Sequence, residues 1–517
     1  MLSGESKIMR YVMGIDVGTN ATKGVLVDEK CQIIQICETL HDMENPATNV
    51  FEMDAEKIWW GDVCKISKQL LEKSGISAEQ VKALGISALG CDCVPVDRNG
   101  NALCKAILYG IDSRNHEEIS WLNEYYGEEA VNVFGHEICS SDIAPKILWI
   151  KNHLPEVYEK TYKFLTASSF LTGKLTGRYC IDRYLAEDFL PLYNLEKNCV
   201  SEEGCKLFCR PDQMAELMSA TEVAGVITEK AAIETGLMSG TKVLTGTGDS
   251  GAEAISTGVF QPGDLMVQLG STCYLVYLAD QLIQDTRVWP GTFIIPDIYS
   301  VCAGTNTAGT LTKWFRQQLY FDKEQEEKEG GTVAYQAMAE SIREIADGSD
   351  GLMFLPYLAG ERTPINDPFA SGLMIGLKVS HTRAHIYKAA LEGIAYTIDQ
   401  HIEILEENNL PVRKIMAVGG GTKNQEWLQI IANVTGKPIH TSKISIGASY
   451  GDALMASLQA GFFNSWKEIE GVIQPEYTFM PDEKANTYYE KHKDIFKELY
   501  ELNKESMHKL RRMENGK

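Results

Sequence analysis

The chain has 517 residues and a mass of 57.5 kDa, more than one ordinary hydrophobic core accommodates, so at least two large domains are expected. Apolar residues make up 44% and charged residues 23%, the balance of a folded chain rather than a disordered one. Lys plus Arg number 49 against 71 Asp plus Glu, a formal charge of −22 that repels polyanions and argues against nucleic acid or a membrane surface as partner.

The N-terminal stretch MLSGESKIMRYVMGID lacks the long apolar core and small-residue cleavage site of a secretory leader, so a cytoplasmic location is expected. Tyr11–Val17 reads as an apolar strand that turns at Asp16-Val17-Gly18-Thr19-Asn20 and resumes over Lys23–Val27, a β-hairpin, with Gln32–Ile36 following. Asp54 is placed to cap a helix carrying Trp59, Val63, Ile66 and Leu70 on one face. Val81–Ser87 and Ala102–Tyr109 read as strands, and Ala144–His153 and Pro155–Leu165 as helical or mixed. Lys242–Thr245 is a buried strand leading through Gly246-Thr247-Gly248-Asp249-Ser250-Gly251 into a small-residue helix, Ala252–Ser256.

Beyond a turn-rich break the opening pattern returns. Asp264–Leu269 is a strand, Gly270-Ser271-Thr272 a turn, and Cys273–Leu278 a second strand. A repeated hairpin implies two like-folded domains facing each other across a cleft. Ala384–Leu405 reads as a long helix, and Arg413–Val418 as a strand ending in Gly419-Gly420-Gly421 before a helix over Asn424–Val434. Gly447–Gly461 is a small-residue helix suited to close packing, and Glu483–Arg512 a charged, solvated helical tail on the second domain. The expected division is therefore 1–258, 259–482 and a tail of 483–517. The 13 cysteines include no CxxC pair, and Cys199, Cys205 and Cys209 have no partners at zinc spacing, so reduced structural thiols are expected.

Five segments carry chemistry. Asp16 at a strand end can hold Mg2+ through water, Gly18 admits a phosphate close to the backbone, Thr19 and Asn20 can donate to it, and Lys23 adds positive charge. An ordinary hairpin with a polar turn would look the same. Asp249, between glycines where a strand meets a helix, can accept the proton of an attacking hydroxyl, though a helix-capping Asp has the same position. Gly270, Ser271 and Thr272 repeat the phosphate-cradle chemistry, and Gly304–Gly309 offers small, hydroxyl-rich backbone near a helix start. Gly419-Gly420-Gly421 lets a flat ligand such as adenine lie against backbone, or is simply a flexible turn. Neither GxxxxGK[ST] nor an initial GxGxxG is present, so nucleotide-dependent phosphoryl transfer would need a different scaffold.

In this order the motifs resemble those of the FGGY carbohydrate kinases, within the actin-like ATPase superfamily, over roughly residues 11–465. Ala144-Pro145-Lys146-Ile147-Leu148-Trp149 is similar to the family's first signature, with Ile143 departing from it. Gly372–Leu377, His385-Ile386 and Ala389–Glu392 match the second. Tyr357–Pro364, containing Gly-Glu-Arg-Thr-Pro, resembles a loop of xylulokinase-like members. The resemblance implies an α/β fold of two ribonuclease-H-like domains with an interdomain cleft, sugar mainly on the first domain and ATP mainly on the second. It implies Asp249 as catalytic base, and Asp16 with Asp249 at the Mg2+. It further implies that Gly270, Ser271, Thr272 and Gly309 contact phosphate, and that Gly419, Gly420, Gly421 and Asn424 line the adenosine pocket.

The sugar-contacting loop of the family aligns with Gly85–Asp92. Xylulokinases usually carry Gln-Met-His where this chain has Leu89, Gly90 and Cys91, and glycerol kinases Gln-Arg-Glu, so glycerol is disfavoured and D-xylulose itself is not assured. Asp92 can replace the lost polar contact. The next segment, Trp-Asn-Asp-x-Arg in the family, reads Tyr109-Gly110-Ile111-Asp112-Ser113-Arg114, with Tyr109 as the stacking face and Asp112 and Arg114 keeping polar roles. Core packing plus a structural ion pair is the alternative. The expected activity is ATP-dependent phosphorylation of a ketopentose of the xylulose type. Ribulose, gluconate, a tetrulose or a polyol are the alternatives, and a homodimer is admitted by resemblance. An ATP-binding sugar sensor and a chaperone-like ATPase are the competing classes. The first has no need of Asp249, and the second would require a peptide-binding domain larger than the tail.

Overall fold

A computed structural model describes residues 9–444 and 446–515, so the first eight residues of the N-terminal stretch and the last two of the tail lie outside the described residues. The described chain gathers into two compact units. The first runs through Phe260 and takes in Gly291–Ile298 and Ile446–Val472, and the second takes the remaining segments.

The first unit is built on β1 (Tyr11–Val17), β2 (Ala21–Asp28), β3 (Ile33–Leu40), β4 (Val81–Ala88), β5 (Val223–Val226), β6 (Lys242–Leu244) and β7 (Thr247–Gly248). β1, β2 and β3 form an antiparallel meander, β1 pairs in parallel with β4, and β4 pairs in parallel with β6 and β7. β1 and β4 are almost wholly buried, which explains their near-continuous apolar runs.

The second unit repeats this plan. β8 (Asp264–Leu269), β9 (Cys273–Ala279) and β10 (Tyr299–Thr305) form the meander. β8 then pairs in parallel with β11 (Lys414–Val418), and β11 with β12 (Ile439–Ser442), before β13 (Pro475–Phe479) closes the edge antiparallel. Three antiparallel strands followed by parallel ones, twice over, is the duplication that the two hairpins suggest.

The helix over Ala448–Gln459 differs from expectation. It packs on β1 and β4 and on the Asp249–Ser256 helix of the first unit, not on the second sheet. Glycine makes this approach feasible. A Cβ on Gly14 would lie 2.0 Å from Ser449 O, one on Gly85 2.2 Å from Asp452 O, and one on Gly451 1.9 Å from Ala252 O.

Other elements shift too. Only Ala106–Ile107 of the expected Ala102–Tyr109 strand is a strand. Asp54 caps as expected, accepting from Glu56 and Lys57 N–H, and Trp59, Val63, Ile66 and Leu70 are buried. The tail is two helices, Glu483–Glu490 and Lys493–Asn515. It is not merely solvated: Ala485, Tyr489, Phe496, Leu499, Tyr500 and Met507 belong to the second core. Among the described residues no helix is long and apolar enough to cross a membrane.

Candidate active site

In the first unit β1, the Asp249–Ser256 helix and the Ala448–Gln459 helix bring four carboxyl groups, Asp16, Asp249, Glu253 and Asp452, into one electrostatic field beside Ser87 of β4. Asp16 ends β1 next to Ser87 of β4, whose Oγ lies 3.0 Å from Asp16 Oδ1 and 2.7 Å from Asp452 Oδ2. Ser87 N–H also donates to Asp452 Oδ2 at 3.0 Å, while Asp452 Oδ1 is buried with no hydrogen-bond partner. One hydroxyl proton cannot serve two ionised acceptors, so this chain of oxygens favours a neutral carboxyl on one side. Burial pushes both Asp16 and Asp452 well above the ordinary carboxylate range, with Asp249 repelling each further. Burial raises Asp249 itself to about 6 against the stabilising Ser250 N–H, which donates to its Oδ1 at 2.7 Å. Burial, then repulsion from Asp249, lifts Glu253 to about 7. Hard oxygen donors that resist joint ionisation, one of them an orphaned buried oxygen, fit a divalent cation of the Mg2+ kind.

The bend before Asp249 needs glycine. Gly246 has φ +86°, and a Cβ there would lie 2.9 Å from Ile86 O. Asp182 supports the same bend, accepting from Thr247 Oγ1 at 2.8 Å, and burial carries it to about 7.

Of the residues expected to face a sugar, Asp92 lies in the field of Asp249. Asp92 is fully buried. Its Oδ1 accepts from Ala167 N–H at 2.8 Å, its Oδ2 has no partner, and burial raises it far above its usual range. Cys91 adopts a left-handed φ of +59°, costly for a residue with a side chain, and its thiol bonds Asp188. Cys91 O accepts from Lys146 Nζ of the first signature at 2.6 Å, and the same ammonium reaches Ser141 O at 3.2 Å. Gly90 is where a Cβ would press on Leu185 at 3.0 Å. Tyr109 OH lies 3.3 Å from Thr19 Oγ1, so two residues expected on different ligands meet.

Asp112 and Arg114 are not open polar groups. The Asp112 carboxylate is buried and accepts Arg114 N–H, Nε and Nη2 together with Phe51 N–H. Arg114 also reaches Glu52 at 2.9 Å and covers the Trp149 ring. They form the structural ion pair that was the alternative. Lys23 stands opposite Asp16 across the hairpin, but its ammonium lies 3.8 Å from Glu38. The Gly18 turn is closed by its own N–H on Ala21 O and by His41, whose Nε2 donates to Gly18 O at 2.9 Å. Asn20 O accepts His41 N–H.

In the second unit the scattered glycines converge on the end of β8. Gly309 N–H donates to Gly270 O at 2.8 Å, and Ala308 and Thr310 N–H donate to Ser271 O, so these helix-start groups are already used. Ser271 and Thr272 are exposed. Gly419, φ +87°, and Gly421 press on Leu269: Cβ atoms there would fall 2.7 Å from its oxygen and 2.6 Å from its Cβ. Gly420 is open. Asn424 is a helix cap, accepting Trp427 N–H at 3.2 Å. Thr363 of the Gly-Glu-Arg-Thr-Pro loop exchanges hydrogen bonds with Gly304 of β10, and Glu361 Oε2 is left buried without a partner.

Ser87, Asp452, Glu253, Asp182 and Asp188 are absent from the sequence-based site. Asp452 had a signal, a lone carboxylate inside the small-residue run Gly447–Gly461. All 13 cysteines are free, as expected.

Two ribonuclease-H-like sheets and an acidic bend define the class, and the comparisons agree. Residues 11–256 match the N-terminal domain, and residues 265–460 the C-terminal domain, of the FGGY family of carbohydrate kinases. The chain belongs to that family and is a sugar kinase. It is similar to the xylulose kinase of Staphylococcus xylosus, 26% identical over 497 residues, covering 95% of this chain and 100% of the relative. It is also similar to the gluconokinase of Bacillus subtilis (strain 168), 25% identical over 506 residues, covering 95% and 96%. The xylulose kinase structure from Rhodospirillum rubrum superposes with a TM-score of 0.89 at 24% identity, over 96% of this chain and 100% of the other, and shares its fold.

Proposed function

We propose that this chain transfers the γ-phosphoryl group of ATP to a hydroxyl of a ketopentose of the xylulose type. Asp249 takes the hydroxyl proton as general base. The observation that carries this is the Asp249 carboxyl itself: half-buried at a glycine-flanked strand-to-helix bend, raised to about 6 by desolvation, and electrostatically coupled to Asp92, Asp16 and Glu253. A base poised near neutrality can accept a proton and release it in each turnover. The unpaired Asp92 Oδ2 and the Tyr109 ring are assigned to the sugar, with Gly90 and Cys91 shaping the loop and the Asp112–Arg114 pair holding Tyr109's segment in place. The nucleotide is assigned to Gly18, Thr19, Asn20 and Lys23, and to the cluster of Gly270, Ser271, Thr272, Gly309 and Gly419–Gly421, with Asn424 fixing the helix behind it. Mg2+, held through water by Asp16 and Asp249, would supply charge neutralisation on the transferring phosphoryl group.

The local field favours a neutral sugar over an aldonate. Asp92, Asp188 and Asp249 interact around the loop, while Lys146 is committed to the carbonyls of Cys91 and Ser141. A carboxylate substrate would be repelled there.

An ADP-release assay over ketopentoses, a tetrulose, alditols and gluconate tests the reading. Turnover is expected with a pentulose and not with gluconate. Asp249→Asn is expected to lower kcat about a hundredfold to ten-thousandfold while sugar binding persists. Near-normal turnover of that variant would overturn the role of Asp249.

A further inference from the structure

The turn that leads into the Ile143–His153 helix holds three different donor side chains together. His136, Cys139 and Asp142 recur at three-residue intervals, and a nitrogen, a sulfur and an oxygen of the three lie within 4.8 Å of one another. Their hydrogen bonds say more than the spacing. His136 Nδ1 is 2.8 Å from the backbone oxygen of Glu137, an atom that can only accept, so the ring proton sits on Nδ1. In the neutral ring Nε2 is then a bare lone pair, and it faces Asp142 Oδ1, a second lone pair, at 3.3 Å. Two acceptors at that separation call for a positive charge between them, either a further proton or a cation. An N–H donated to a backbone carbonyl is also the arrangement that orients metal-bound imidazoles.

Asp142 is held for the purpose. Its side chain is only 3% exposed, and its other oxygen accepts Cys139 N–H at 2.7 Å, which turns Oδ1 toward the ring and brings the thiol's own backbone alongside. The surrounding field is negative: Asp188 interacts with both Asp142 and His136, and the neighbouring Lys146 spends its ammonium on two carbonyls. Cys139 is exposed and His136 half-buried, so an ion has access.

We propose that His136, Cys139 and Asp142 form a binding site for a divalent transition cation of the zinc class, with the fourth position open to water. A nitrogen–sulfur–oxygen donor set suits Zn2+ and disfavours Mg2+, which prefers oxygen alone. On binding, the Cys139 thiol releases its proton to solvent and the sulfur bonds the metal as thiolate. The site would fasten a turn that already braces the sugar segments, since Ser140 Oγ donates to Gly110 O at 2.8 Å and Lys146 links Ser141 to Cys91. The cation site itself does not rest on the sugar assignment.

Co2+ titration of the full chain, freed of metal and without nucleotide, tests this. An intense near-ultraviolet thiolate-to-metal band is expected to saturate with Co2+, to disappear on adding Zn2+, and to persist in excess Mg2+. Cys139→Ser is expected to abolish the band, and both it and His136→Gln to weaken Zn2+ binding by more than roughly tenfold, beyond the loss of a mere supporting contact. Thermal unfolding without metal, expected to match the wild type, confirms that both variants fold. A wild-type protein with no thiolate band, or Zn2+ affinity unchanged in both variants, would overturn the proposal.

Discussion

Asp249 illustrates how one residue acquires its chemistry from its place. An aspartate in water titrates near 4 and is a weak base at neutral pH. Here burial lifts it to about 6, opposed by the Ser250 N–H. As the proposed base, Asp249 must be ionised to accept a proton, so kcat/KM is expected to fall on the acid side of about pH 6 and to level above it. A pH profile with a nonreacting-group control, Asp97→Asn on a surface turn, checks this, and an acid limb that survives in Asp249→Asn would assign it to another group. Legibility at this scale was uneven. Asp16 and Asp249 stand out because they lie at or just beyond the ends of apolar strands among glycines. Ser87 and Asp452 do not, because their meaning lies in a 2.7 Å contact between residues 365 positions apart. Asp112 and Arg114 were visible as a polar pair, but no local pattern says whether such a pair faces a ligand or each other. The structure turns them on each other, with Glu52 and Phe51 completing the set.

At the level of elements, sequence reveals the mostly buried strands β1, β4, β6, β8 and β11 from their apolar runs, and β2, β3 and β9 from their place after the hairpin turns, β3 even though its residues are largely half-buried or exposed. Ala102–Tyr109 failed because the segment is tied by bridges to Cys93 and Val96 and extends only briefly. The small-residue helix Ala448–Gln459 was legible as a close packer, but what it packs against was not. Small side chains state a distance of approach, not a direction, and the chain returns to the first sheet only after laying down six strands of the second. This packing gives a sharp test. Gly85 has an ordinary backbone φ, so Gly85→Ala adds no backbone strain, yet its Cβ would fall 2.2 Å from Asp452 O and 2.8 Å from Asp452 C. Backbone cannot move aside as a flexible side chain can. We expect Gly85→Ala to lower stability by at least about 1–3 kcal/mol, the range of core overpacking, and to shift Asp452 away from Ser87. Gly420→Ala, with open space at its Cβ, is expected to leave the melting temperature unchanged. Equal melting temperatures for the two variants, measured by thermal unfolding, would show that the helix does not press on the sheet as described.

Across the whole molecule, stability should reflect how many buried and half-buried carboxyl groups prefer their protonated form. Asp249 and Asp188 are raised to about 6, and Asp182, Glu253, Glu361, Glu392 and Asp399 to about 7, burial being the largest cause in each. A carboxyl whose pKa is higher folded than unfolded binds its proton more tightly in the native state. Its contribution is full below the unfolded value near 4 and is lost as pH rises through 6 to 7. The formal charge of −22 adds self-repulsion in the same direction. Acid-side losses come from groups held low, such as Asp285, which Arg287 keeps at about 2. The melting temperature is therefore expected to be higher at pH 5.5 than at pH 8. A divalent cation at the proposed site is expected to reverse part of this, because ionised Asp16, Asp249 and Glu253 repel one another until a positive charge joins them. Added Mg2+ should raise the melting temperature at pH 8 and do much less at pH 5.5, where protons already neutralise the cluster. Asp16→Asn should shrink that Mg2+ effect. A melting temperature that climbs steadily from pH 5.5 to 8 would mean that the buried acids are compensated in a way their hydrogen bonds do not reveal. An equal Mg2+ response at both pH values would place the cation somewhere other than this acidic end of the first sheet.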